Sequence, residues 1–223
     1  MATKFLSLSL TNRLGWLVIV AFSMVGFAGL ANQVLAKKTD IFDRDILLAI
    51  QQIHTPWLNW LMIKITYLGE PLVLLPIALI LGLVLLIIRR YSLAIILPIA
   101  TLGTWGLNHG LKAMFLRPRP QLWERILDAG FYSFPSGHAM VSFVFYSLLA
   151  YFLASRFPQF RWLIFSGSIL LIIAIGFSRL YLGVHWPTDI MGSYMISLVC
   201  TIAWIFIWKI LQQRHQEKKP DLN

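Results

Sequence analysis

Six long stretches almost free of charge dominate this chain and leave few folds open to it: residues 14–30, 71–88, 93–107, 139–154, 162–177 and 190–208. A helix that crosses a hydrocarbon core of roughly 30 Å takes about 20 residues, with about 17 to 25 tolerated. The shorter runs reach that length once their polar flanking turns are added. In lipid no water satisfies a bare backbone N–H or C=O, so such runs have to be helical. The expected fold class is all-α, a polytopic membrane protein built as a six-transmembrane-helix bundle. One domain is expected over residues 1–223, with a polar tail at 209–223 that frays into solvent. Charged residues make up 13% of the chain, against about 25% in an ordinary soluble domain.

The first run admits a second reading. Lys4 and Arg13 precede it and Ala36 ends a small-residue site, as in a cleaved signal. The run is longer than the usual hydrophobic core of about 7–15 residues, which favours a retained helix. Either way the next segment starts on the same side of the membrane.

The net charge of +10 is unevenly distributed. With six crossings, one side carries ten Lys and Arg against two acids, and the other carries nine against seven. The basic side holds both termini, Arg89, Arg90, Arg156 and Arg161, which puts both termini in the cytoplasm. This charge orients the chain and meets anionic membrane lipids; no nucleic-acid partner is implied. The lone Cys200, mid-run in the last segment, rules out an internal disulfide and reads as packing.

Three polar clusters then fall together on the opposite, extracytoplasmic face: Lys112 with Arg119-Pro120, Pro135-Ser136-Gly137-His138, and Ser178-Arg179 with His185 and Asp189. Each lies at the end of an apolar run. Ser136 suits a helix N-cap, and the N–H groups behind it suit an anion. Pro118 and Pro120 fix the backbone on both sides of Arg119. Guanidinium groups fork onto phosphate oxygens, whereas Lys112 acts as a point charge. Asp189 is placed to accept a hydrogen bond from one ring N–H of His185, leaving the other nitrogen with a lone pair. Taken singly, each cluster also reads as an ordinary helix end.

Together the clusters resemble the signature of the type 2 phosphatidic acid phosphatase family: Lys, six residues, Arg-Pro; Pro-Ser-Gly-His; Ser-Arg, five residues, His, three residues, Asp. Every fixed position is present. The resemblance implies His185 as nucleophile forming a phosphohistidine, Asp189 as its orienting acid, and His138 as proton donor and later acceptor. It implies phosphate binding by Lys112, Arg119, Ser136, Gly137, Ser178 and Arg179, with no metal or other cofactor. Its substrates are lipid phosphates or pyrophosphates. Undecaprenyl pyrophosphate is the first expectation; phosphatidylglycerophosphate, phosphatidic acid and diacylglycerol pyrophosphate are alternatives. The implied location is a bacterial inner membrane. A lipid phosphotransferase, a vanadate-dependent haloperoxidase and a non-catalytic lipid-binding protein are the competing readings. The sequence names no protein partner.

Other residues carry milder expectations. Arg117 reads as a headgroup contact at most, and Glu70 as a solvated helix start that could also pair with a site cation. Asn108 and His109 read as a helix–helix or supporting contact. Trp123, Tyr132, Tyr181 and Trp186 read as an interfacial aromatic belt, and residues 40–60 as a partly amphipathic helix on the outer surface.

Overall fold

A computed structural model describes residues 10–123, 130 and 132–217. Its helices are α1 (Leu10–Leu35), α2 (Asp40–Gln51), α3 (Pro56–Tyr67), α4 (Pro71–Ile87), α5 (Tyr91–Phe115), α6 (Gly137–Arg156), α7 (Arg161–Tyr181) and α8 (Pro187–Glu217), with a 3₁₀ turn at Pro158–Phe160 before α7. Among the described residues, five helices are long and apolar enough to cross a membrane. A sixth span results if α3 and α4, bent by 43° at the break between them, count as one.

The bundle packs through small residues and interlocking aliphatics. Leu97 and Ala100 of α5 meet Val141, Val144, Phe145 and Leu148 of α6, with Leu74 and Ala78 of α4 alongside. Alanines at these positions let helices approach closely, which matters where lipid gives no hydrophobic drive to associate. The outward faces carry exposed Phe22, Ile87, Trp162 and Leu163, the surface that hydrocarbon covers. α1 packs on α8, and α6 sits among α5, α7 and α8.

Two elements differ from the sequence expectation. The surface helix expected over 40–60 is divided: α2 stops at Gln51, and Pro56 opens α3 behind the Thr55 cap, whose side chain accepts from Leu58 N at 3.3 Å. α5 runs past its apolar stretch to Phe115 with Lys112 in its last turn, as expected. α8 continues through the polar residues expected to fray, as far as Glu217; the rest of the tail, like Lys4, lies outside the described residues. α2 packs against α7 and α8, and its Asp43 and Leu47, one helical turn apart, are both fully buried.

Candidate active site

Four helix ends meet at one side of the bundle, and local chemistry places each side chain there. Leu116 leaves α5 in the left-handed region at φ 48°, and the chain then passes through Arg117, Pro118, Arg119 and Pro120. Ser133 fastens this segment: its N–H donates to Arg117 O at 2.8 Å and its hydroxyl to Pro118 O at 3.1 Å. Ser136 caps α6, its Oγ accepting from Ala139 N at 3.5 Å, while its own N–H donates to Ser193 Oγ on α8 at 2.8 Å. Asn108 of α5 donates to Pro135 O at 3.0 Å. A Cβ on Gly137 would sit 3.0 Å from Asn108 Oδ1, so glycine is what lets α6 begin this close to α5. Gly183, at φ +69°, turns the chain from α7 towards His185 with the Trp123 ring against it.

The ends enclose a cavity of about 340 Å³ bordered by Lys112, Arg119, Gly137, His138, Arg179 and His185, together with Glu70. Six of the nine residues singled out from the sequence therefore share one cavity. Asp189 lies behind His185, with Oδ2 3.2 Å from Nδ1. The hydroxyls of Ser136 and Ser178 do not border the cavity. Ser136 is fully buried in its cap, and Ser178 donates to Ile175 O at 2.6 Å within its own helix. A serine bonding back to its own helix is a common local alternative to binding something else.

The tautomer of His185 follows from its partners. Arg119 Nη1 lies 3.1 Å from His185 Nε2, and a guanidinium can only donate, so Nε2 is the acceptor. The ring proton is then on Nδ1, donated to Asp189. Burial, followed by the positive charges of Arg119, Arg179 and Lys112, holds the His185 ring well below its ordinary pKa of 6.5. It is a neutral imidazole with an unprotonated nitrogen facing three cations. Lys112 Nζ donates to Tyr132 O at 3.1 Å, and Arg179 Nη1 to Thr66 Oγ1 at 2.7 Å. Buried Arg179 Nε finds no acceptor among the described residues. The remaining donors of Lys112 and Arg179 suit an anion with several oxygens. Among the described residues there is no cluster of three or more His, Cys, Asp or Glu side chains that could hold a metal ion.

Three residues carry more than the sequence suggested. Arg117, expected as a headgroup contact, is buried and bridges two carboxylates: Nη1 is 2.6 Å from Asp189 Oδ1, and Nη2 is 2.6 Å from Asp43 Oδ2. It also donates to Thr188 Oγ1 at 2.8 Å and Thr39 Oγ1 at 3.2 Å. Asp43 in turn accepts the Thr188 N–H at 2.9 Å, so a carboxylate of α2 satisfies a bare donor in the first turn of α8. Glu70, expected as a solvated helix start, caps α4 and places Oε2 2.9 Å from His138 Nε2. Of the aromatic belt, Tyr181 is fully buried and donates to Asn59 Oδ1 at 2.6 Å, so it does not belong at the interface. Trp186 is half-buried, with its indole N–H on Pro118 O at 3.0 Å.

Known proteins resemble this chain. Residues 89–215, which contain all three clusters, match the family model of the PAP2 superfamily. Phosphatidylglycerophosphatase B of Bacillus subtilis (strain 168) is 31% identical over 176 residues, or 78% of this chain and 86% of that protein. The chain belongs to the PAP2 superfamily. The crystal structure of a transmembrane PAP2 type phosphatidylglycerolphosphate phosphatase from Bacillus subtilis superposes with a TM-score of 0.78 at 28% identity, covering 91% of this chain and 98% of the other. An undecaprenyl-diphosphatase of Sulfolobus acidocaldarius is 28% identical over 167 residues, 71% of each chain. This PAP2 protein is a hydrolase, a membrane lipid phosphatase with the helical fold expected from its apolar runs.

Proposed function

We propose that this PAP2 protein hydrolyses a lipid phosphate by way of a phosphohistidine on His185, at the extracytoplasmic face of a bacterial inner membrane. The observation that carries the reading is the His185 ring: Nδ1 on a buried carboxylate, Nε2 unprotonated, and Lys112, Arg119 and Arg179 bordering the same cavity. Nε2 attacks phosphorus, and the ester oxygen leaves with a proton from His138. The resulting phosphoramidate is opened by water, whose proton returns to His138. The three cations, with the N-terminus of α6 at Gly137, neutralise the equatorial oxygens, which is most of what phosphoryl transfer asks of a protein. Arg119 must shift its hydrogen bond from Nε2 to a phosphate oxygen as substrate enters, which frees the lone pair.

Phosphatidylglycerophosphate is the first substrate we assign, supported by a relative and a solved structure that span most of the chain. Undecaprenyl pyrophosphate is the second, supported by the undecaprenyl-diphosphatase relative. The cation asymmetry between the two sides supports cytoplasmic termini. Phosphate release should be measured on both lipids and on phosphatidic acid in detergent, with His185→Ala as control and with a chelator present. Release that persists with chelator and vanishes in His185→Ala is expected; equal rates on all lipids would remove the assignment of substrate.

A further inference from the structure

The carboxylate of Glu70 has no part in the hydrolysis just described, yet it faces the proton donor. Glu70 stands at the break between α3 and α4, where the chain bends by 43°. Its Oε1 accepts from Leu72 N at 3.5 Å, capping α4, and its Oε2 lies 2.9 Å from His138 Nε2. Both residues border the cavity, and among the described residues bordering it Glu70 is the one carboxylate.

We infer that Glu70 is the positioning residue of the proton donor: through His138 it holds the ring and its proton ready for the leaving oxygen. This rests on the hydrolytic reading above. Among the described residues, the other charged or titratable groups around the cavity are Tyr67 from α3, Lys112 and His109 from α5, Arg179 from α7, Arg119 from the loop after α5, and His185 from the turn before α8. Three of them are cations, and each opposes a proton on His138. Glu70 supplies the opposing charge.

The two histidines are thus each given a carboxylate, but of different kinds. Asp189 is fully buried and gripped by Arg117, which suits a ring that must keep one tautomer throughout. Glu70 is 30% exposed at the cavity edge and is held by one cap and one imidazole. It can yield Nε2 to an incoming oxygen. In the first half-reaction the N–P bond to His185 forms, the P–O bond breaks, and the proton passes from His138 to the leaving oxygen. In the second, the water O–P bond forms, the N–P bond breaks, and the water proton goes to His138. Glu70 changes no bonds in either half; its charge holds the proton on the ring from the second half of one turnover until the first half of the next.

Glu70→Gln tests this. The amide oxygen can still cap α4, but the charge is gone. Rates should be measured against pH on two substrates: a short-chain phosphatidic acid, whose alkoxide must be protonated as it leaves, and p-nitrophenyl phosphate, whose leaving group needs no proton. General acid catalysis is worth about 10²–10⁴-fold, and a positioning residue carries part of that. The expected result is about a 10- to 100-fold loss of kcat on phosphatidic acid, less than about threefold on the aryl ester, and an alkaline limb displaced to lower pH. Glu70→Asp should keep the limb of the parent. The ratio of the two rates and the position of the limb are independent of how much variant folds. Equal losses on both substrates with an unmoved limb, or no loss on either, would overturn the role of Glu70. His138→Ala separates the failures: if it keeps full turnover on phosphatidic acid, the hydrolytic reading fails. If it loses turnover while Glu70→Gln does not, only Glu70 loses its role.

Discussion

Replacing Arg117 with methionine removes one guanidinium and little volume, and it exposes how the site is braced. In the parent, that group sits 2.6 Å from a carboxylate oxygen of Asp43 and 2.6 Å from one of Asp189, both fully buried. Methionine leaves two buried acids without their shared cation. Breaking a buried ion pair from one side costs about 3–5 kcal/mol, because the remaining charge is stranded. For a chain of this length, about 2–4 °C of unfolding temperature accompanies each kcal/mol, so a drop of about 6–20 °C is expected in detergent. One acid escapes the repulsion by taking up a proton. If that acid is Asp189, His185 loses its orienting anion, and turnover should fall about 10²–10⁴-fold, the scale at which such a carboxylate serves its histidine. The double variant Arg117→Met with Asp43→Asn strands one charge fewer and removes the repulsion on Asp189, so it should recover part of both the temperature and the turnover. Heating followed by tryptophan fluorescence, beside phosphate release at a temperature where each variant is folded, reads both. A loss under about 3 °C with less than fivefold change in turnover would refute the bracing.

Three further outcomes follow from the geometry. Because His185 is held well below 6.5, the acid limb caused by protonating the nucleophile should lie well under that value in a kcat/KM–pH profile. The same depression has a sign for stability: below about 6.5 the unfolded chain binds a proton that the folded one refuses, so the unfolding temperature should fall as pH drops from 6.5. Gly137→Ala, whose Cβ would press on Asn108 Oδ1 at 3.0 Å, should lower activity by pushing the start of α6 away from the cavity; Asn108→Ala in the same chain should relieve it, as read by phosphate release.

What the sequence disclosed and what it concealed divide along one physical line. The helices were legible because a charge-free run of this length has one way to satisfy its backbone in lipid. His138, His185, Asp189, Lys112, Arg119 and Arg179 were legible because their spacing follows a recurring pattern and each lies at the end of such a run. Arg117, Asp43 and Glu70 were concealed because their meaning comes from partners far along the chain: 74 positions separate Arg117 from Asp43, and 145 separate Asp43 from Thr188. One signal was present. Asp43 lies one turn from Leu47 on the face of α2 that is buried, and an acid on an apolar stripe demands a partner. Ser178 failed in the opposite direction: its place in the pattern drew it into the site, whereas its hydroxyl is bound to its own helix. Residues 40–60 misled because an amphipathic pattern continued past Thr55-Pro56, the pair that starts a new helix.

The central claim is that His185 takes the phosphoryl group, and trapping that group tests it most directly. Substrate carrying a radioactive phosphate at the scissile position would be mixed with His138→Ala, in which the attack is slowed but return of the group to water is slowed too, and quenched in alkali. A label stable to base, labile to acid and confined to the peptide that contains His185 is expected, and it should vanish when His185 is also replaced by alanine. A label on any other residue, or full turnover by His185→Ala alone, would contradict the account.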